Sequence, residues 1–316
     1  MIDQYGRSIE YLRLSVTDKC NLRCRYCMPE EGVEKRPHSD MLTEDEMVTA
    51  VEAASLLGIR KLRITGGEPL VKKNILSICS RCAKVEGIKE VCLTTNGLLL
   101  PQMAEDLRKA GVSRINMSLD TLNPRKYTEM TRCGSLSQAL DGLRAALDAG
   151  FDQVKINAVL IGGFNEDEIP ALAELTRQYP VDVRFIELMP MPGAAAFGPE
   201  SYIPVSRVLD ALPDAAPECE NGVARLYRLP GALGRVGLIS PVSQHFCASC
   251  NRIRLTADGK LKPCLHSAEE ISIKGLDRDA IMETMRRVIF LKPRCHDELS
   301  ATQGSHAARN MSQIGG

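Results

Sequence analysis

The sequence predicts an α/β fold, an incomplete (β/α)6 TIM-like barrel followed by a smaller C-terminal α+β domain. Three observations support this prediction. First, β-rich stretches alternate with amphipathic helical patterns at a spacing of about 30 residues as far as position 190. Second, such strands pair in parallel, and the six units found here are fewer than the eight of a closed barrel. Third, a stretch rich in Gly, Pro and Ala at 189–200 is followed by shorter strands and turns.

The barrel strands can be read in order along the chain. They are YLRLSV (11–16), KLRIT (61–65), EVCLTT (90–95), RINMSL (114–119), VKINAVL (154–160) and VDVRFIELM (181–189). The clearest helix covers 43–57, where Thr43 and Glu46 form a capping box. Unusual segments follow or end most of these strands, namely TDKC, TGGEP, TTNG, SLD and LMP. Because the carboxyl ends of parallel strands meet at one mouth of a barrel, we expect the functional site there.

The change of pattern predicts two domains, residues 1–215 and 216–316. In the second, RIRLTADGKLKPCL (252–265) is typical of a hairpin that turns at Asp258-Gly259. Such a hairpin would return Cys264 toward Cys247 and Cys250.

Charge and hydropathy exclude two classes of partner. The 40 basic and 40 acidic residues cancel, so the chain has no overall field that would draw it to nucleic acid or to an anionic membrane. No apolar run approaches the roughly 18 to 20 residues of a membrane span, and the first residues do not resemble a secretory signal. We therefore expect a cytoplasmic protein.

Six of the 12 cysteines form two triads. Cys20, Cys24 and Cys27 are spaced C-x3-C-x2-C, and a second triad is spaced C-x2-C-x13-C at Cys247, Cys250 and Cys264. In a reducing compartment such spacing favours metal ligands over disulfides. A four-iron cluster normally takes four thiolates, so three leave one iron open to a small molecule. The alternative for the second triad is a Cys3His zinc site completed by His245 or His266.

The remaining cysteines carry no ligand pattern. Cys79 and Cys82 lie on an apolar helical face and are predicted to pack in the core. We assign no ligand role to Cys92, Cys133, Cys219 and Cys295.

The first triad, with the aromatic Tyr26 before its last cysteine, resembles the signature of the radical S-adenosylmethionine (SAM) enzymes. The TGGEP segment at 65–69 is similar to the glycine-rich segment of that family. The resemblance implies a [4Fe-4S] cluster on the first triad whose open iron binds SAM, and reductive cleavage of SAM to a 5′-deoxyadenosyl radical. It also implies SAM contacts at Tyr26, Gly66, Gly67, Glu68, Ser118 and Met189.

The second triad and the C-terminal Gly315-Gly316 resemble the GTP 3′,8-cyclase family, molybdenum cofactor biosynthesis protein A. This resemblance implies a second [4Fe-4S] cluster that GTP completes. It also implies that the radical takes the ribose 3′-hydrogen and that carbon 3′ then attacks carbon 8 of guanine. The product is 3′,8-cyclo-7,8-dihydro-GTP, an early intermediate of molybdopterin synthesis. The residues implied in catalysis are Cys20, Cys24, Cys27, Arg252, Arg254, Gly315 and Gly316.

A triphosphate requires several fixed cations, and guanidinium groups bind phosphate oxygens in a bidentate manner. Basic residues on the predicted strands and after Cys250 match the GTP contacts of the family, as does Thr94; they are Arg13, Arg63, Lys155, Arg184, Arg252 and Arg254. The tail at 301–316 contains one arginine, where the family comparison leads us to expect a more basic run. We therefore expect little electrostatic help to the triphosphate from the tail.

The resemblance also implies an electron donor of unknown identity, a homodimer, and cyclic pyranopterin monophosphate synthase as the next enzyme. Two alternatives remain open from the sequence. One is a peptide-modifying radical SAM enzyme with auxiliary clusters, and the other is a zinc-bearing binding module.

Overall fold

The computed structural model describes residues 1–34, 36–296, 299–300 and 302–315, and the side chains of 219–221 are not described. Its strands form one twelve-stranded sheet. They are β1 Tyr11–Ser15, β2 Lys61–Thr65, β3 Glu90–Thr95, β4 Arg114–Ser118, β5 Gln153–Leu160, β6 Val181–Glu187, β7 Ala216–Asn221, β8 Ala224–Arg228, β9 Val236–Ile239, β10 Arg252–Leu255, β11 Lys260–Lys262 and β12 Ile271–Ser272.

Helices lie between the strands of the first half and near the end of the chain. They are α1 Glu44–Leu56, α2 Ile75–Ala83, α3 Leu100–Lys109, α4 Pro124–Thr131, α5 Leu136–Asp148, α6 Ile169–Gln178, α7 Arg207–Ala211, α8 Arg278–Phe290 and α9 Met311–Ile314. The predicted capping box of α1 is present, because Thr43 accepts from the backbone of Glu46 and the Glu46 side chain accepts from the backbone of Thr43. This pairing satisfies backbone donors that the first helical turn cannot use.

The six predicted strands pair in parallel in the order β1 to β6, as expected for a partial barrel. Strands from the last third of the chain extend this sheet on both sides. Strand β10 pairs in parallel with β1, and β9 pairs in parallel with β6. The residues after 215 therefore continue the parallel sheet at both edges, and the division at 215/216 stays a prediction.

The hairpin predicted at Asp258-Gly259 is present. Strands β10 and β11 pair antiparallel, and Gly259 has a φ of +77°, which glycine adopts more readily than other residues. The prediction for α2 is also confirmed, since Cys79 and Cys82 are fully buried in the core. Among the unassigned cysteines, Cys92 is buried, whereas Cys133 and Cys295 are exposed.

A single apolar cluster spans the interface between the sheet and its surrounding helices. Leucine, isoleucine and valine side chains of the strands fill it on the outer face of the sheet, so polar residues on the alternate positions face the barrel interior. In the described part of the chain, no helix has the length and apolar content needed to cross a bilayer.

Candidate functional site

The cysteine loop that follows β1 is anchored to the end of α4. Two loop amides, those of Arg23 and Arg25, donate to the carbonyls of Thr131 and Met130 at 3.0 Å each. Inside the loop, the Cys27 amide donates to the Cys24 carbonyl at 2.9 Å, which turns the chain between the two cysteines. The loop conformation is therefore fixed by the protein backbone.

Arg132 locks the same loop from outside. It ends α4 with a φ of +64°, the one positive φ of a non-glycine residue among those described. Its Nη1 donates to the carbonyls of Arg23 at 2.7 Å and Met28 at 3.3 Å, on either side of Cys24 and Cys27. A strained backbone conformation costs stability, and here it aims the guanidinium at the cysteine loop.

The TGGEP segment lies directly against the start of the cysteine loop. The Gly67 amide donates to the Thr17 carbonyl at 2.8 Å, and the Glu68 amide donates to the Lys19 carbonyl at 2.8 Å. A Cβ at Gly67 would lie 2.5 Å from the Lys19 oxygen, so a larger residue would separate the two loops. Glycine is thus required for close backbone approach.

Glu68 is almost fully buried behind this contact. Its carboxylate accepts hydrogen bonds from the Thr95 hydroxyl at 2.8 Å, the Asn96 amide at 2.7 Å and the Leu70 amide at 3.0 Å. Burial raises the pKa of Glu68 to about 7, although these three donors lower it. The carboxylate is therefore held in place and would gain from a nearby cation such as an ammonium.

A pocket of about 310 Å³, part of it open to solvent, lies beside Cys24. Tyr26 and Ser118 line it, together with Asn96 and Asp120. The Tyr26 hydroxyl donates to Asp120 Oδ2 at 2.9 Å, which fixes the ring at the pocket wall. Three predicted site residues therefore meet at the mouth of the barrel.

Burial dominates the chemistry of the first triad. It raises the pKa of the Cys20 thiol to about 11 and that of Cys27 to about 12, and it also raises the pKa of Cys24. Amide groups still point at the sulfurs: the Leu22 amide donates to Cys20 Sγ at 3.3 Å, and the Ser312 amide donates to Cys27. Such thiolates would need the positive charge of bound iron to form.

The predicted GTP residues form a row of cations inside the barrel. Arg254, Arg13 and Arg63 lie side by side in register across β10, β1 and β2. Residues in register point to the same face, so three guanidinium groups share one surface. Burial and the neighbouring Arg254 lower the pKa of Arg13, and burial together with Arg252 lowers that of Arg254 to about 10.

On the opposite side of the interior, β5 and β6 contribute Lys155 and Arg184. Both are buried, and the Nε of Arg184 is a buried donor with no hydrogen-bond partner within the described ranges. Burial, with a smaller effect of Arg184, lowers the pKa of Lys155 to about 7. Lys155 lies 3.7 Å from the buried carboxylate of Asp182, so within the described part of the chain the donor of this pair left without a partner is the Arg184 Nε. A buried polar donor without a hydrogen bond is costly, so an anion bound there would be stabilised.

Thr94 connects the two groups of cations. Its hydroxyl accepts from Arg63 Nη1 at 3.2 Å, and it lies in register with Asn116, which is in register with Lys155. The Nε of Arg63 donates to the Tyr11 hydroxyl, and this hydrogen bond fixes the orientation of the guanidinium.

The second triad lines a larger pocket of about 550 Å³, part of it open to solvent. Cys247, Cys250 and Cys264 all lie on its wall, as the hairpin prediction required, together with Arg252 and Arg254. Met189, which was predicted as a SAM contact, lines this pocket and not the smaller one. Within the described ranges, no three His, Cys, Asp or Glu side chains are gathered closely enough to hold a single metal ion.

Three histidines share the same pocket. His296 stacks edge-on against His245 and His266, with ring centroids 5.3 Å and 4.9 Å apart. His266 Nδ1 lies 3.0 Å from the Ser305 hydroxyl, and burial lowers the pKa of His266 to about 3. His266 is therefore neutral at physiological pH.

The C-terminal tail enters the barrel. Helix α9 places Ser312 and Ile314 in buried positions, and the Gly315 carbonyl accepts from Arg254 Nη1 at 2.7 Å. Gly315 has a φ of +83°, and a Cβ there would lie 2.3 Å from Thr65 Oγ1. Gly316 lies outside the described residues.

The single arginine of the tail is occupied elsewhere. Arg309 pairs with Asp258 at 3.0 Å and with Glu270 at 2.5 Å. Its charge is therefore directed at the β10–β11 hairpin and away from the cations of the barrel, in line with the small contribution expected from the sequence.

The comparisons with known proteins divide the chain in two. Residues 14–176 match the Radical SAM superfamily, and residues 181–298 match the family Molybdenum Cofactor Synthesis C. Curated relatives cover the whole chain. A GTP 3′,8-cyclase of Alkaliphilus oremlandii is 48% identical over 321 residues, with all of both chains covered, and one of Pelotomaculum thermopropionicum is 48% identical over 328 residues, also with full coverage.

This chain belongs to the GTP 3′,8-cyclase family. Among solved structures, that of Streptococcus suis SuiB is similar with a TM-score of 0.67 and 13% identity, covering 92% of this chain and 68% of that one. At this identity the likeness shows the fold alone. The radical SAM type of the predicted partial barrel is confirmed by the match of residues 14–176 to the Radical SAM superfamily together with the parallel order of β1 to β6.

The donor sets fit the groups that the cyclase family implies. The second triad offers three thiols on the wall of its pocket. The first pocket is lined by Cys24 of the first triad and carries the hydroxyls of Tyr26 and Ser118, and Cys20 and Cys27 belong to the same loop. The buried Nε of Arg184, which has no hydrogen-bond partner within the described ranges, would be satisfied by an anion. Two [4Fe-4S] clusters, SAM and a nucleoside triphosphate are therefore compatible with the residues present.

Some residues of this cyclase-family site were not predicted from the sequence. Asn157 lies in register with Ser118 and Arg184, and its Oδ1 is buried without a hydrogen-bond partner in the described part of the structure. Its position on an inward face of β5 would have been the available signal. Asp120 could have been found from the SLD segment, since it is the last residue of that segment. The hydrogen bond from the Ser312 amide to Cys27 joins residues far apart in the chain, so no local sequence pattern predicts it.

Proposed function

We propose that this chain cyclises GTP to 3′,8-cyclo-7,8-dihydro-GTP by radical SAM chemistry, an early step of molybdopterin synthesis. The observation that carries the proposal is the set of buried and half-buried cations on the inward faces of the barrel strands, of which Arg254 also lines the pocket of the second triad. A triphosphate would supply these cations with negative charge beyond that of the buried Asp182, which lies 3.7 Å from Lys155. The identity to curated GTP 3′,8-cyclases supports the same substrate.

The first pocket is proposed to hold a [4Fe-4S] cluster on Cys20, Cys24 and Cys27, with SAM. When bound, these groups supply the radical chemistry that removes the 3′-hydrogen of the ribose. Tyr26 and Ser118 would orient SAM at the wall of the pocket. Glu68, with the backbone of Gly66 and Gly67, would receive the SAM ammonium, since its carboxylate is fixed by three donors and has no cation partner among the described residues.

Substrate binding is assigned to the barrel interior. Arg13, Arg63, Lys155 and Arg184 would neutralise the triphosphate, with Thr94 holding Arg63 in place. Fixed guanidinium groups bind phosphate without reorganisation, so they also set the position of the ribose.

The second pocket is proposed to hold the second [4Fe-4S] cluster on Cys247, Cys250 and Cys264, where the guanine would bind. Arg252 and Arg254 lie on the same wall and would contact the substrate. Met189 is proposed to contact SAM from the side of this pocket. Gly315, and Gly316 beyond the described residues, would close the site because glycine can pass beside a bound nucleotide.

The decisive experiment incubates the anaerobic, iron-reconstituted protein with GTP, SAM and a strong reductant. We expect a product with the mass of GTP and altered ribose and base signals, together with 5′-deoxyadenosine. Modification of a peptide in place of GTP would support the peptide-modifying alternative. Zinc in the second site, with roughly four irons per chain instead of eight, would contradict the two-cluster assignment.

Substitution of one cysteine from each triad separates the two roles. We expect Cys24→Ser to abolish SAM cleavage, because the first cluster loses a ligand. Cys264→Ser should retain some uncoupled SAM cleavage and lose cyclisation. If both variants still cyclise GTP, the assignment of the two pockets is wrong.

We further propose that the enzyme acts in the cytoplasm as a homodimer and passes its product to cyclic pyranopterin monophosphate synthase. The balanced charge and the absence of a membrane-crossing helix among the described residues support this setting. The division into domains 1–215 and 216–316 is proposed on the change of pattern after the barrel. Light scattering of the reconstituted protein tests the dimer, and limited proteolysis tests the boundary.

A further inference from the structure

A buried lysine lies at the second pocket and has not been assigned a role. Lys292 follows α8 and is 2% exposed. Its Nζ donates to the Arg252 carbonyl at 2.9 Å and to the Pro263 carbonyl at 2.7 Å. Neutral carbonyls do not balance a buried ammonium, so its charge calls for an anion nearby.

Among the described residues, the sulfur of Cys250 is a further acceptor for this ammonium. Lys292 donates a hydrogen bond to it, and both residues line the pocket of the second triad. The sulfurs of the first triad instead receive hydrogen bonds from the backbone amides of Leu22 and Ser312 and from the Asn96 side chain. In the described structure, a lysine therefore donates to a sulfur of the second triad and none donates to a sulfur of the first.

The two carbonyls that Lys292 binds belong to both cysteine segments. Arg252 follows Cys250 by two residues, and Pro263 directly precedes Cys264. One ammonium thus ties the loop before β10 to the end of the hairpin.

Arg7 links the remaining cysteine of the second triad, Cys247, to the same segment of the chain. Its Nη1 donates to the Cys247 carbonyl at 2.9 Å, and its Nη2 donates to the Pro293 carbonyl at 2.7 Å. Its charge is balanced by Asp3 at 2.6 Å. All three cysteines of the second triad are therefore fixed to the segment 292–293, and within the described residues no carboxylate pairs with Lys292.

We propose that Lys292 is a positioning residue of the second cluster, which holds the Cys250 and Cys264 segments together and raises the reduction potential of the cluster. The inference rests on the proposed function, since it requires a cluster on this triad. Reduction adds negative charge to a cluster, and a cation in a low-dielectric site stabilises the added charge strongly. The first cluster has no such ammonium in the described structure and provides an internal reference.

The test measures the potentials of both clusters in the same holoenzyme by redox titration followed with electron paramagnetic resonance. Lys292→Met removes the ammonium and keeps an unbranched apolar chain in place of the lysine stem, whereas Lys292→Arg keeps the charge. Lys262→Met is the matched control, because Lys262 is also fully buried, in β11, but pairs with Glu270 at 3.1 Å and makes no hydrogen bond to a cysteine in the described structure.

We expect Lys292→Met to lower the potential of the second cluster by at least the equivalent of tenfold in the reduction equilibrium, about 59 mV for one electron. The first cluster should not change, and Lys292→Arg and Lys262→Met should leave both potentials near the wild-type values. An unchanged second potential in Lys292→Met, or an equal shift in both clusters, would overturn the inference.

A variant that loses the second cluster has no potential to measure, so the iron content of each variant is measured as well. Loss of about four irons from Lys292→Met alone supports the role in holding the segments, whereas equal loss from Lys292→Met and Lys292→Arg contradicts a role of the charge. Wild-type protein that keeps both clusters but leaves GTP unchanged would contradict the proposed function and not this inference. Wild-type protein with only one cluster would overturn both.

Discussion

At the scale of single residues, Arg184 provides the sharpest test of the substrate site. Its buried Nε has no hydrogen-bond partner among the described residues, so a phosphate oxygen would gain a charge-assisted hydrogen bond there. Because such bonds contribute about 1.5 to 3 kcal/mol, we expect Arg184→Gln to weaken GTP binding roughly tenfold to a hundredfold. Isothermal titration with GTP measures the change.

Arg235 is the control for this substitution. It pairs with Asp182, two residues before Arg184, at 2.9 Å. It directly precedes β9, the neighbour of the β6 strand that carries Arg184, and it lies outside the proposed substrate site. Arg235→Gln should leave GTP binding within about threefold of wild type, a change of less than 1 kcal/mol. Equal losses in both variants would show that Arg184 acts through the local fold and not through phosphate.

Lys155 predicts a dependence of GTP binding on pH. With a pKa of about 7 in the free protein, its amine is largely neutral at pH 8. A bound triphosphate favours the ammonium, so binding takes up a proton, and affinity should fall above pH 7 by up to about tenfold per unit. Titration in two buffers of different ionisation enthalpy should show proton uptake at pH 8 in wild type and a reduced uptake in Lys155→Met. Equal uptake in both proteins would contradict the assignment.

The lowered pKa of Lys155 also makes the free energy of unfolding depend on pH. Between about pH 7 and the ordinary lysine pKa, the unfolded chain binds more protons at Lys155 than the folded chain does. The contribution of Lys155 to the stability of the GTP-free protein therefore rises with pH across this window, opposite to its effect on binding.

Residues differ in how far the sequence could predict them. The two triads were predicted because their spacing is local, and the structure brings each set to one pocket or loop. The hydrogen bond from Arg7 to the Cys247 carbonyl was not predicted from the sequence. Arg7 lies 240 residues from Cys247, and a single arginine does not form a recognisable ligand pattern. Met189 was assigned by resemblance, and the structure places it on the wall of the other pocket.

At the scale of elements, six strands were predicted correctly because their apolar runs and flanking turns are strong local signals. The positions of β9 and β10 were not predicted. Each has four residues, and a short strand does not reveal which edge it will join. Their pairing places the second cysteine pocket beside β1, where the first cysteine loop begins.

Helix α9 and the residue after it provide a test at this scale. A Cβ at Gly315 would clash with Thr65, so Gly315→Ala should expel the tail from the barrel. The hydrogen bond from Arg254 to the Gly315 carbonyl would be lost with it. We expect iron content to be unchanged, SAM cleavage to persist and GTP cyclisation to fall at least tenfold, as measured by product formation.

The control must separate this clash from the cost of backbone conformation alone. Gly150 also has a positive φ, +69°, but an added Cβ would meet no atom within 4 Å. Gly150→Ala should therefore cost only about 1 to 2 kcal/mol of stability and leave turnover unchanged. If Gly150→Ala lowers cyclisation as much as Gly315→Ala does, the tail has no specific role in the site.

At the scale of the whole molecule, the question is whether the metal centres hold the fold together. The twelve-stranded sheet and one continuous apolar cluster do not depend on the cysteine triads. Both triads lie on loops beyond the strand ends, and protein contacts from Arg132 and Arg7 already fix these loops. The fold should therefore outlast the removal of iron, unlike small domains that unfold without their metal.

We expect anaerobic chelation of iron to leave amide exchange in β1 to β6 slow, since these amides are paired within the sheet and covered by the apolar cluster. Exchange should accelerate in residues 18–28, 241–251 and 263–268, where thiols that lose iron are left in buried or half-buried positions. Hydrogen exchange followed by mass spectrometry measures both sets of peptides in the same sample. Protein treated with chelator already saturated with iron is the control. Loss of protection throughout the sheet would show that the clusters are needed to stabilise the fold. The hydrogen bonds made by Arg132 and Arg7 would then form only when iron is bound, and they would not hold the loops in place before iron binds.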